Sequence, residues 1–444
     1  MLRCSIIFLW SILLGFAASQ AAELERCPLP VKGAQTTQVG IFLRDMSTGR
    51  ILADVNSEST FVPASITKSL TVASVLSQLP ADLTFSTEIA FDGEVADSIL
   101  DGNLIVRASG DPTVDSKFFP EYHGICDSIA VHLKRLGVSR IRGRVIIDFP
   151  PMAECRVPDG WMNEDLLQVY GAAHHSMNFR DNRIVFNATD CSTSPRSPKM
   201  KIRRVEGSRL SRPRNDNRLD VGKNARGSRT IANPDPSATF DGVLAEVLKA
   251  NDIMIEESKL PVKDATKTLY VHHSPQFSDI MRSLMFRSDN LMAEGMLRTL
   301  APTRSRESAC KRELSLWEAR GINTAPIYVE DGSGLSRKNR ISPRFLSDVL
   351  EWMARSDDGP LYVSFFPRAG REGTMRSTMV GTRLEGKMAT KTGSMRGVQC
   401  FAGYILDNDG HPTHSVVVMV NGYTCDKGSL KSAIGKYLID KLNL

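Results

Sequence analysis

The sequence has 444 residues, of which 41% are hydrophobic and 24% charged, and its formal net charge at pH 7 is +6. This length exceeds an average single domain, so we expect two or three domains with well-filled hydrophobic cores. The net charge is too small to indicate a polyanion-binding protein by itself, and no stretch after the N-terminal segment is apolar enough to span a membrane.

The N-terminus has the pattern of a secretory signal peptide. Arg3 precedes an apolar segment over residues 6–18, and Ser19 and Ala21 occupy the −3 and −1 positions of a cleavage site. We therefore predict that residues 1–21 are removed and that a soluble enzyme is exported to the periplasm, with at most peripheral membrane contact. The alternative is that the segment stays uncleaved as a membrane anchor.

Cysteine usage fits an exported protein. The chain contains eight cysteines, and seven remain once Cys4 leaves with the signal peptide, so at least one thiol is unpaired in a monomer. Cys126, Cys155 and Cys191 are close enough in sequence to supply a disulfide. Because neither a Cys-x-x-Cys pair nor a His-containing metal spacing occurs, we predict no metal site and no cofactor.

A β-hairpin and a helix are the first predicted elements. Residues 40–45 and 51–56 have the pattern of two strands that flank a Ser-Thr-Gly turn. A helix then begins near Pro63, presents an apolar face as far as about residue 79, and is ended by Pro80.

Ser65 and Lys68 lie at the start of this helix. Residues three apart share a helical face, so the Lys68 amine can reach the Ser65 hydroxyl and act as the base that a serine nucleophile requires. Free N–H groups in a first helical turn also favour a developing negative charge. The same Ser-x-x-Lys spacing recurs at Ser308 and Lys311, so the motif alone does not separate a nucleophile from an ordinary capped surface helix.

The region from residue 85 to residue 267 has a different sequence pattern from the helical segment before it. Short β-like runs with many turn residues, such as those at 104–108, 145–148 and 183–187, are interrupted by one helix over residues 126–136. We predict that residues 85–267 form an inserted, mainly β region of one or two subdomains.

A basic run at residues 199–229 lies within this insertion. Only Glu206, Asp216 and Asp220 oppose its many Lys and Arg residues, and such a run could contact an anionic polymer. No aromatic residue interleaves it, however. We therefore favour a solvated loop or edge-strand face and predict no nucleic-acid partner.

Two further polar motifs follow the insertion. A Ser-Asp-Asn motif at residues 288–290 stands between two apolar helical stripes. A Lys-Thr-Gly motif at residues 391–393 precedes predicted strands over 398–406 and 415–420 and a closing helix from about residue 430. Glycine at a strand edge lets a ligand approach the backbone, while the lysine and threonine offer a charge and a hydroxyl for a carboxylate.

The order Ser-x-x-Lys, Ser-Asp-Asn, Lys-Thr-Gly is the signature of serine β-lactamases and penicillin-binding proteins. Within that superfamily the chain resembles the D-alanyl-D-alanine carboxypeptidases of peptidase family S13, the class C low-molecular-mass penicillin-binding proteins. In these a large insertion separates the first two motifs. Further local similarity lies in residues 109–113, 331–337 and 373–374.

This resemblance implies an α/β (α+β) fold of the serine β-lactamase and penicillin-binding transpeptidase type. An antiparallel sheet flanked by helices would form a discontinuous catalytic domain from residues 22–84 and 268–444. Residues 85–267 would form the large, mainly β insertion.

The resemblance also implies roles for individual residues. Ser65 would attack the penultimate D-alanine of a peptidoglycan stem peptide with Lys68 as the base, and β-lactam antibiotics would acylate the same serine. Ser288 would relay a proton to the departing D-alanine, and Asn290 would hold the substrate backbone. The remaining groups implied are Lys391 and Thr392 for the terminal carboxylate, Gly393 for close backbone approach, and the N–H groups of Ser65 and Ser394 as the oxyanion hole.

The side chain of the stem peptide must be recognised outside these motifs, and Asp148, Arg337 and Met395 are the candidates. Asp148 and Arg337 would bind the amine and the carboxylate of a diaminopimelate side chain. The alternative is that Arg337 pairs on the surface and Asp148 merely ends a strand.

Two rival functions stay open at this point. A serine β-lactamase would need a second base for rapid hydrolysis, yet no Glu-x-x-x-Asn stretch like that of class A β-lactamases occurs between Lys68 and Ser288. A catalytically inactive peptidoglycan-binding scaffold of the same fold is the second rival. The sequence does not separate carboxypeptidase from endopeptidase action on cross-linked peptides.

Overall fold

A computed structural model gives the structure of the protein and describes residues 27–32, 37–148, 157–197, 200–214 and 216–444. The predicted signal peptide and Cys155 lie outside the described residues. Among the residues described, no helix is both long and apolar enough to cross a bilayer.

The described residues form strands and helices with the following bounds. The strands are β1 (Gln38–Asp45), β2 (Ile51–Val55), β3 (Ser86–Phe91), β4 (Glu94–Ala96), β5 (Ile99–Asp101), β6 (Leu104–Arg107), β7 (Arg140–Arg142), β8 (Val145–Asp148), β9 (Arg183–Asn187), β10 (Thr193–Ser194), β11 (Lys201–Val205), β12 (Leu210–Ser211), β13 (Arg218–Gly222), β14 (Ser228–Ala232), β15 (Met254–Glu256), β16 (Lys267–His273), β17 (Met388–Met395), β18 (Val398–Leu406) and β19 (Pro412–Asn421). The helices are α1 (Thr67–Leu76), α2 (Ile125–Arg135), α3 (Pro236–Ala250), α4 (Phe277–Arg287), α5 (Asn290–Arg298), α6 (Arg306–Glu318), α7 (Pro343–Ala354), α8 (Gly359–Ser364) and α9 (Lys427–Leu442).

A five-stranded antiparallel sheet is the centre of the fold, with strand order β17-β18-β19-β1-β2. Alternate residues of its strands point to opposite faces. Val417 and Met419 face a core that includes α1 and α4–α7, whereas Val416 and Val418 face a second core that includes α9. The predicted antiparallel sheet flanked by helices is therefore confirmed, as is the predicted β1–β2 hairpin.

Helix α1 differs from the amphipathic helix that we predicted. It ends at Leu76, and all its residues are buried because α4–α8 pack around it. Its polar side chains bond to carbonyl groups in this interior: Ser74 Oγ donates to Leu70 O at 2.8 Å, and Thr71 Oγ1 to Gly332 O at 2.9 Å. The periodicity had suggested that the polar side chains face solvent. These hydroxyls face the protein interior instead.

The region between α1 and α4 is rich in short strands. It holds two four-stranded sheets, β16-β3-β6-β8 and β15-β7-β5-β4, and two three-stranded sheets, β10-β9-β14 and β11-β13-β12. Helix α2 matches the predicted helix to within one residue at each end, but α3 was not predicted. The β-rich character of the insertion is confirmed, whereas its boundaries at residues 85 and 267 stay a prediction.

The basic run forms part of the β11-β13-β12 sheet, in which β11 is an exposed edge strand. Arg203 forms a bidentate ion pair with Asp220, at 2.8 and 2.6 Å, and Lys223 pairs with Glu206. The few acidic residues of the run therefore neutralise part of its charge. This arrangement agrees with the edge-strand interpretation.

The cysteines of the described chain are free thiols, including Cys126 and Cys191. A bond between Cys126 and Cys191, one of the pairings that the three predicted cysteines allow, is therefore absent from the described residues.

Candidate active site

Ser65 and Lys68 meet at the start of α1, as their spacing predicts. Ser65 is the middle residue of a 3-10 turn, Ala64–Ile66, that runs directly into the helix. Ala64 has a left-handed backbone with φ of 49°, a conformation that costs energy for a residue with a Cβ. Lys68 Nζ lies 3.1 Å from Ser65 Oγ, which is hydrogen-bonding distance.

The Lys68 amine has two other partners, both of which accept hydrogen bonds. Its Nζ lies 2.6 Å from Asn290 Oδ1 and 2.5 Å from the main-chain carbonyl of Ser333. A neutral amine has two hydrogens and one lone pair, so these acceptors take both hydrogens and the lone pair faces Ser65. Burial lowers the pKa of Lys68 to about 8.

The pKa of Lys68 also depends on nearby carboxylates that favour its charged form. Asp331, Asp289 and Glu294 each oppose the effect of burial. Lys391 has no such compensation: burial, followed by the charge of Lys68, holds its pKa well below the usual range. Both amines are thus adjusted toward the neutral state that a base requires.

Ser288 is held at the junction of α4 and α5. It ends α4 in a left-handed conformation with φ of 60°, and Asp289 caps α5 by accepting from Met292 N at 3.0 Å. Lys391 Nζ donates to Ser288 Oγ at 2.9 Å. The second and third motifs are therefore in direct contact.

Strand β17 passes close to the Ser65 turn. A Cβ added at Gly393 would lie 2.5 Å from the carbonyl oxygen of Pro63, so only glycine fits without a shift. Thr392 Oγ1 donates to Thr374 Oγ1 at 3.0 Å, and the Ser394 hydroxyl accepts from Lys427 Nζ at 2.7 Å. The third motif lies within β17, the edge strand of the central sheet, and this agrees with the strand-edge position suggested for Gly393.

A turn at residues 331–336 supplies the carbonyl that binds Lys68, and sequence reasoning missed this contribution. The buried Asp331 carboxylate accepts from Gly334 N at 2.8 Å, Ser336 N at 2.7 Å and Trp161 Nε1 at 2.7 Å. Glu294 Oε1 accepts from Ser333 N at 2.9 Å. The family similarity over residues 331–337 was the sequence feature that pointed to this turn, but it did not indicate that a carbonyl group there binds Lys68.

These elements surround an open cleft of about 890 Å³. Its lining consists of Ser65, Met162, Glu164, Asp165, Tyr170, Ser288, Asn290, Gly334, Leu335, Arg337, Ser394, Met395, Arg396 and Gly397. The segment from residue 162 to residue 170 belongs to the insertion and was not predicted to reach the site. Asn290 Nδ2 fixes this segment by donating to Tyr170 O at 2.8 Å.

The three candidates for side-chain recognition have different positions. Arg337 and Met395 line the cleft, and Arg337 Nη2 donates to Arg396 O at 3.2 Å. Asp148 is an exposed residue at the end of β8. Within the described chain it neither lines this cleft nor forms an ion pair with Arg337. The structure therefore does not bring the predicted Asp148–Arg337 pair together.

Two other groups of residues lie apart from the cleft. In the second Ser-x-x-Lys match, on α6, Lys311 pairs with Glu307 at the surface at 3.0 Å. Asp407, Asp409 and His411 could together hold a metal ion, since their ligand atoms lie within 4.8 Å of one another. All three are exposed in the turn between β18 and β19 and do not line the cleft.

Comparisons with known proteins agree with this geometry. A family model described as D-Ala-D-Ala carboxypeptidase 3 (S13) family matches residues 31–436. The chain is 26% identical over 458 residues to the D-alanyl-D-alanine carboxypeptidase DacB of Haemophilus influenzae. The alignment covers 96% of this chain and 93% of that protein.

Solved structures show the same fold. A crystal structure of penicillin binding protein 4 (dacB) from Haemophilus influenzae has a TM-score of 0.79 and 23% identity, covering 93% of this chain and 97% of that one. A structure of that protein complexed with a novel β-lactam has a TM-score of 0.75, with the same identity and coverage. The predicted transpeptidase-like architecture with a mainly β insertion is confirmed.

Proposed function

This chain belongs to the D-Ala-D-Ala carboxypeptidase 3 (S13) family, and from that premise we propose how its residues perform the reaction of a serine-type D-Ala-D-Ala carboxypeptidase and penicillin-binding protein. The substrate is a peptidoglycan stem peptide that ends in D-Ala-D-Ala. The observation that carries the proposal is the Lys68 amine: it lies 3.1 Å from Ser65 Oγ with both its hydrogens engaged elsewhere.

Acylation begins with transfer of the Ser65 proton to the lone pair of Lys68 as Ser65 Oγ bonds to the carbonyl carbon of the penultimate D-alanine. The carbonyl oxygen becomes an oxyanion, and the N–H groups of Ser65 and Ser394 stabilise it. Such donors contribute about 3 kcal/mol each to the transition state. The close approach of Gly393 to Pro63 supports this assignment, because it places β17 beside the Ser65 turn.

The terminal D-alanine then leaves as its nitrogen takes a proton from the Ser288 hydroxyl. The proton that Lys68 took from Ser65 passes to Ser288 in its place, while Lys391 orients the Ser288 hydroxyl by donating to its Oγ at 2.9 Å and, with Thr392, binds the substrate carboxylate. Water hydrolyses the acyl-enzyme on Ser65. β-Lactam antibiotics acylate the same serine.

Asn290 has a narrower role than the sequence implied. Its Oδ1 is engaged by Lys68, and one Nδ2 hydrogen by the carbonyl of Tyr170. One N–H therefore remains to bind the backbone of the substrate. Asn290 both orients the base and contacts the peptide.

Recognition of the stem-peptide side chain involves the charged residues of the cleft. Two acidic residues, Glu164 and Asp165, and two basic residues, Arg337 and Arg396, line the cleft. Acidic and basic groups facing one cleft suit a side chain that carries an amine and a carboxylate, as diaminopimelate does. Glu164 and Asp165 thus take the place that the sequence had suggested for Asp148.

We also propose that the protein acts outside the cytoplasm, on the basis of the signal-peptide pattern in residues 1–21. Peptidoglycan, the substrate of this site, lies in the same compartment. Fractionation of cells that produce the full chain should recover a shortened protein in the periplasm. Recovery of the full-length chain with the membrane would favour the anchor instead.

Release of D-alanine from acyl-D-Ala-D-Ala is the measurement that tests this function. We expect the wild type to release D-alanine and S65A to release none. S308A, which removes the serine of the second Ser-x-x-Lys motif, is the control and should release D-alanine like the wild type. Arg337→Ala should slow release from diaminopimelate-containing peptides more than from the short substrate. Rapid nitrocefin turnover would favour a β-lactamase, and sacculus binding without any D-alanine release would favour a scaffold.

A further inference from the structure

A second cleft, of about 460 Å³, adjoins the Ser65 cleft, and Tyr170, Ser288 and Asn290 line both. Two arginines on its walls, Arg183 and Arg287, distinguish this second cleft. We refer to it as the arginine cleft. Its full lining is Phe118, Val169, Tyr170, Asp181, Arg183, Arg287, Ser288, Asp289, Asn290 and Leu291.

The two arginines converge on the ring of Phe118. The guanidinium carbon of Arg287 lies 4.3 Å from the ring centroid, and that of Arg183 lies 5.6 Å from it. Across the described residues, neither guanidinium forms a hydrogen bond or an ion pair, and Arg183 Nε is buried without a partner. A guanidinium group with unused donors is suited to a carboxylate, which it can bind through parallel N–H bonds, and this cleft holds two such groups.

The acidic residues of the arginine cleft have other partners. Asp289 accepts from Met292 N as the cap of α5, and Asp181 accepts from Ser116 Oγ at 2.5 Å. In the described chain, neither acid forms an ion pair with Arg183 or Arg287. The two arginines therefore keep their positive charge available for a ligand.

An unusual backbone brings Arg183 to this position. Arg180, Asp181 and Asn182 all have left-handed conformations, with φ of 52°, 55° and 48°. Three consecutive left-handed residues with side chains cost energy, and such strain persists where the surroundings fix it, commonly at ligand sites. Asn182 fixes this turn: its Oδ1 accepts from Phe179 N at 3.0 Å and its Nδ2 donates to Ala173 O at 2.8 Å.

We propose that the arginine cleft binds a carboxylate of the second stem peptide in a cross-linked substrate. This inference rests on the proposed function, in which Ser288 gives its proton to the leaving nitrogen. Because Ser288 lines both clefts, a leaving group larger than D-alanine can extend from Ser288 into the arginine cleft. A second stem peptide is such a leaving group, and its carboxylates match the two guanidinium groups.

Cleavage of a cross-linked muropeptide dimer, compared with that of short acyl-D-Ala-D-Ala, tests the proposal. We expect the ratio of kcat/KM on the dimer to kcat/KM on the short peptide to fall about tenfold or more in Arg183→Gln and in Arg287→Gln. Arg282→Gln is the matched control, since Arg282 also lies on α4 and stacks on a phenylalanine, Phe286, at 4.5 Å. It should keep the wild-type ratio.

A dimer in which the carboxylate next to the scissile bond is left free, and the other carboxylates of the second stem peptide are amidated, gives a second readout. On this substrate the kcat/KM ratio of the wild type should fall by the same factor as the ratio of the arginine variants falls on the unmodified dimer. Amidation should not lower the ratio of the arginine variants any further. An unchanged ratio in both variants, or a wild type that cleaves the short peptide but not the dimer, would overturn this proposal alone. A wild type that releases no D-alanine from the short peptide would overturn the proposed function as well.

Discussion

Lys68 can be an ammonium ion or a neutral amine, and its surroundings decide which form meets the substrate. An ammonium ion has three hydrogens and no lone pair, so it cannot accept the Ser65 proton. Burial lowers the pKa of Lys68 to about 8, while the nearby carboxylates keep it from falling further. The fraction of competent base therefore changes over the mildly alkaline range.

The acylation of Ser65 should accordingly become faster as the pH rises through about 8, because the neutral fraction of Lys68 increases. The second-order rate constant for benzylpenicillin, measured from pH 6 to pH 10, checks this expectation. Lys68→Arg stays charged throughout, so we expect it to lose roughly 10²- to 10⁴-fold in rate together with the pH dependence. A wild-type rate that is constant across this range would contradict Lys68 as the base.

For individual residues, the sequence predicted the side chains of the site better than its main-chain groups. Ser65, Lys68, Ser288 and Lys391 were predicted from motifs, and the structure brings them into contact in two pairs. The Ser333 carbonyl was not predicted, because every residue has a carbonyl group and only the fold decides which one meets Lys68.

At the scale of elements, the contact between the turn at residues 331–336 and the start of α1 fixes the base. Gly334 has φ of 77°, and a Cβ added there would lie 1.9 Å from the carbonyl oxygen of Ala64. The turn can reach the Ser65 turn only because Gly334 has no side chain. The position of the Ser333 carbonyl depends on that close approach.

Gly334→Ala should therefore slow penicillin acylation by more than tenfold and lower the melting temperature. The added methyl group forces the turn away from Ala64 and withdraws an acceptor from Lys68. Gly321→Ala is a matched control, because Gly321 has φ of 79° but nothing within 4 Å of the added Cβ. It should cost only about 1 kcal/mol of stability, with the acylation rate unchanged. Equal effects of the two substitutions would refute the steric argument.

Elements with a strong local pattern were predicted well, and elements defined by tertiary contacts were not. Strand β18 has the predicted bounds, since its mainly apolar run is buried on both faces. Helix α3 was missed although Asp235 and Pro236 form a typical helix start, with Asp235 accepting from Ala238 N at 2.9 Å. The segment from residue 162 to residue 170 reaches the cleft through contacts between regions distant in sequence, which no local pattern reports.

At the scale of the whole molecule, two buried glutamates influence stability. Burial raises the pKa of Glu294 to about 7 and that of Glu313 to about 8. The side chain of Ser74 favours the charged form of Glu313 but offsets this burial only in part. When the folded-state pKa of a carboxyl lies above its unfolded value, the folded state binds more protons, so stability falls as the pH rises between the two values.

Glu313→Gln should remove this dependence and raise the free energy of unfolding at pH 8. The wild type should lose on the order of 1.4 kcal/mol per pH unit relative to this variant between about pH 4.5 and pH 8. Urea unfolding at several pH values measures the difference. Glu307→Gln, an exposed position on the same helix, should show no such trend. A constant gap between wild type and Glu313→Gln would show that Glu313 is not protonated in the folded protein.

The central sheet has a consequence for when activity can appear during synthesis. Strand β1, near the start of the chain, pairs along its length with β19, and β17 with its Lys-Thr-Gly motif is also made late. The ribosome thus completes Ser65 long before the strands that enclose it, and these distant pairings form slowly. An incompletely synthesised chain lacks the cleft. An enzyme that cuts the cell wall therefore cannot act until its last strand, β19, has been synthesised and paired.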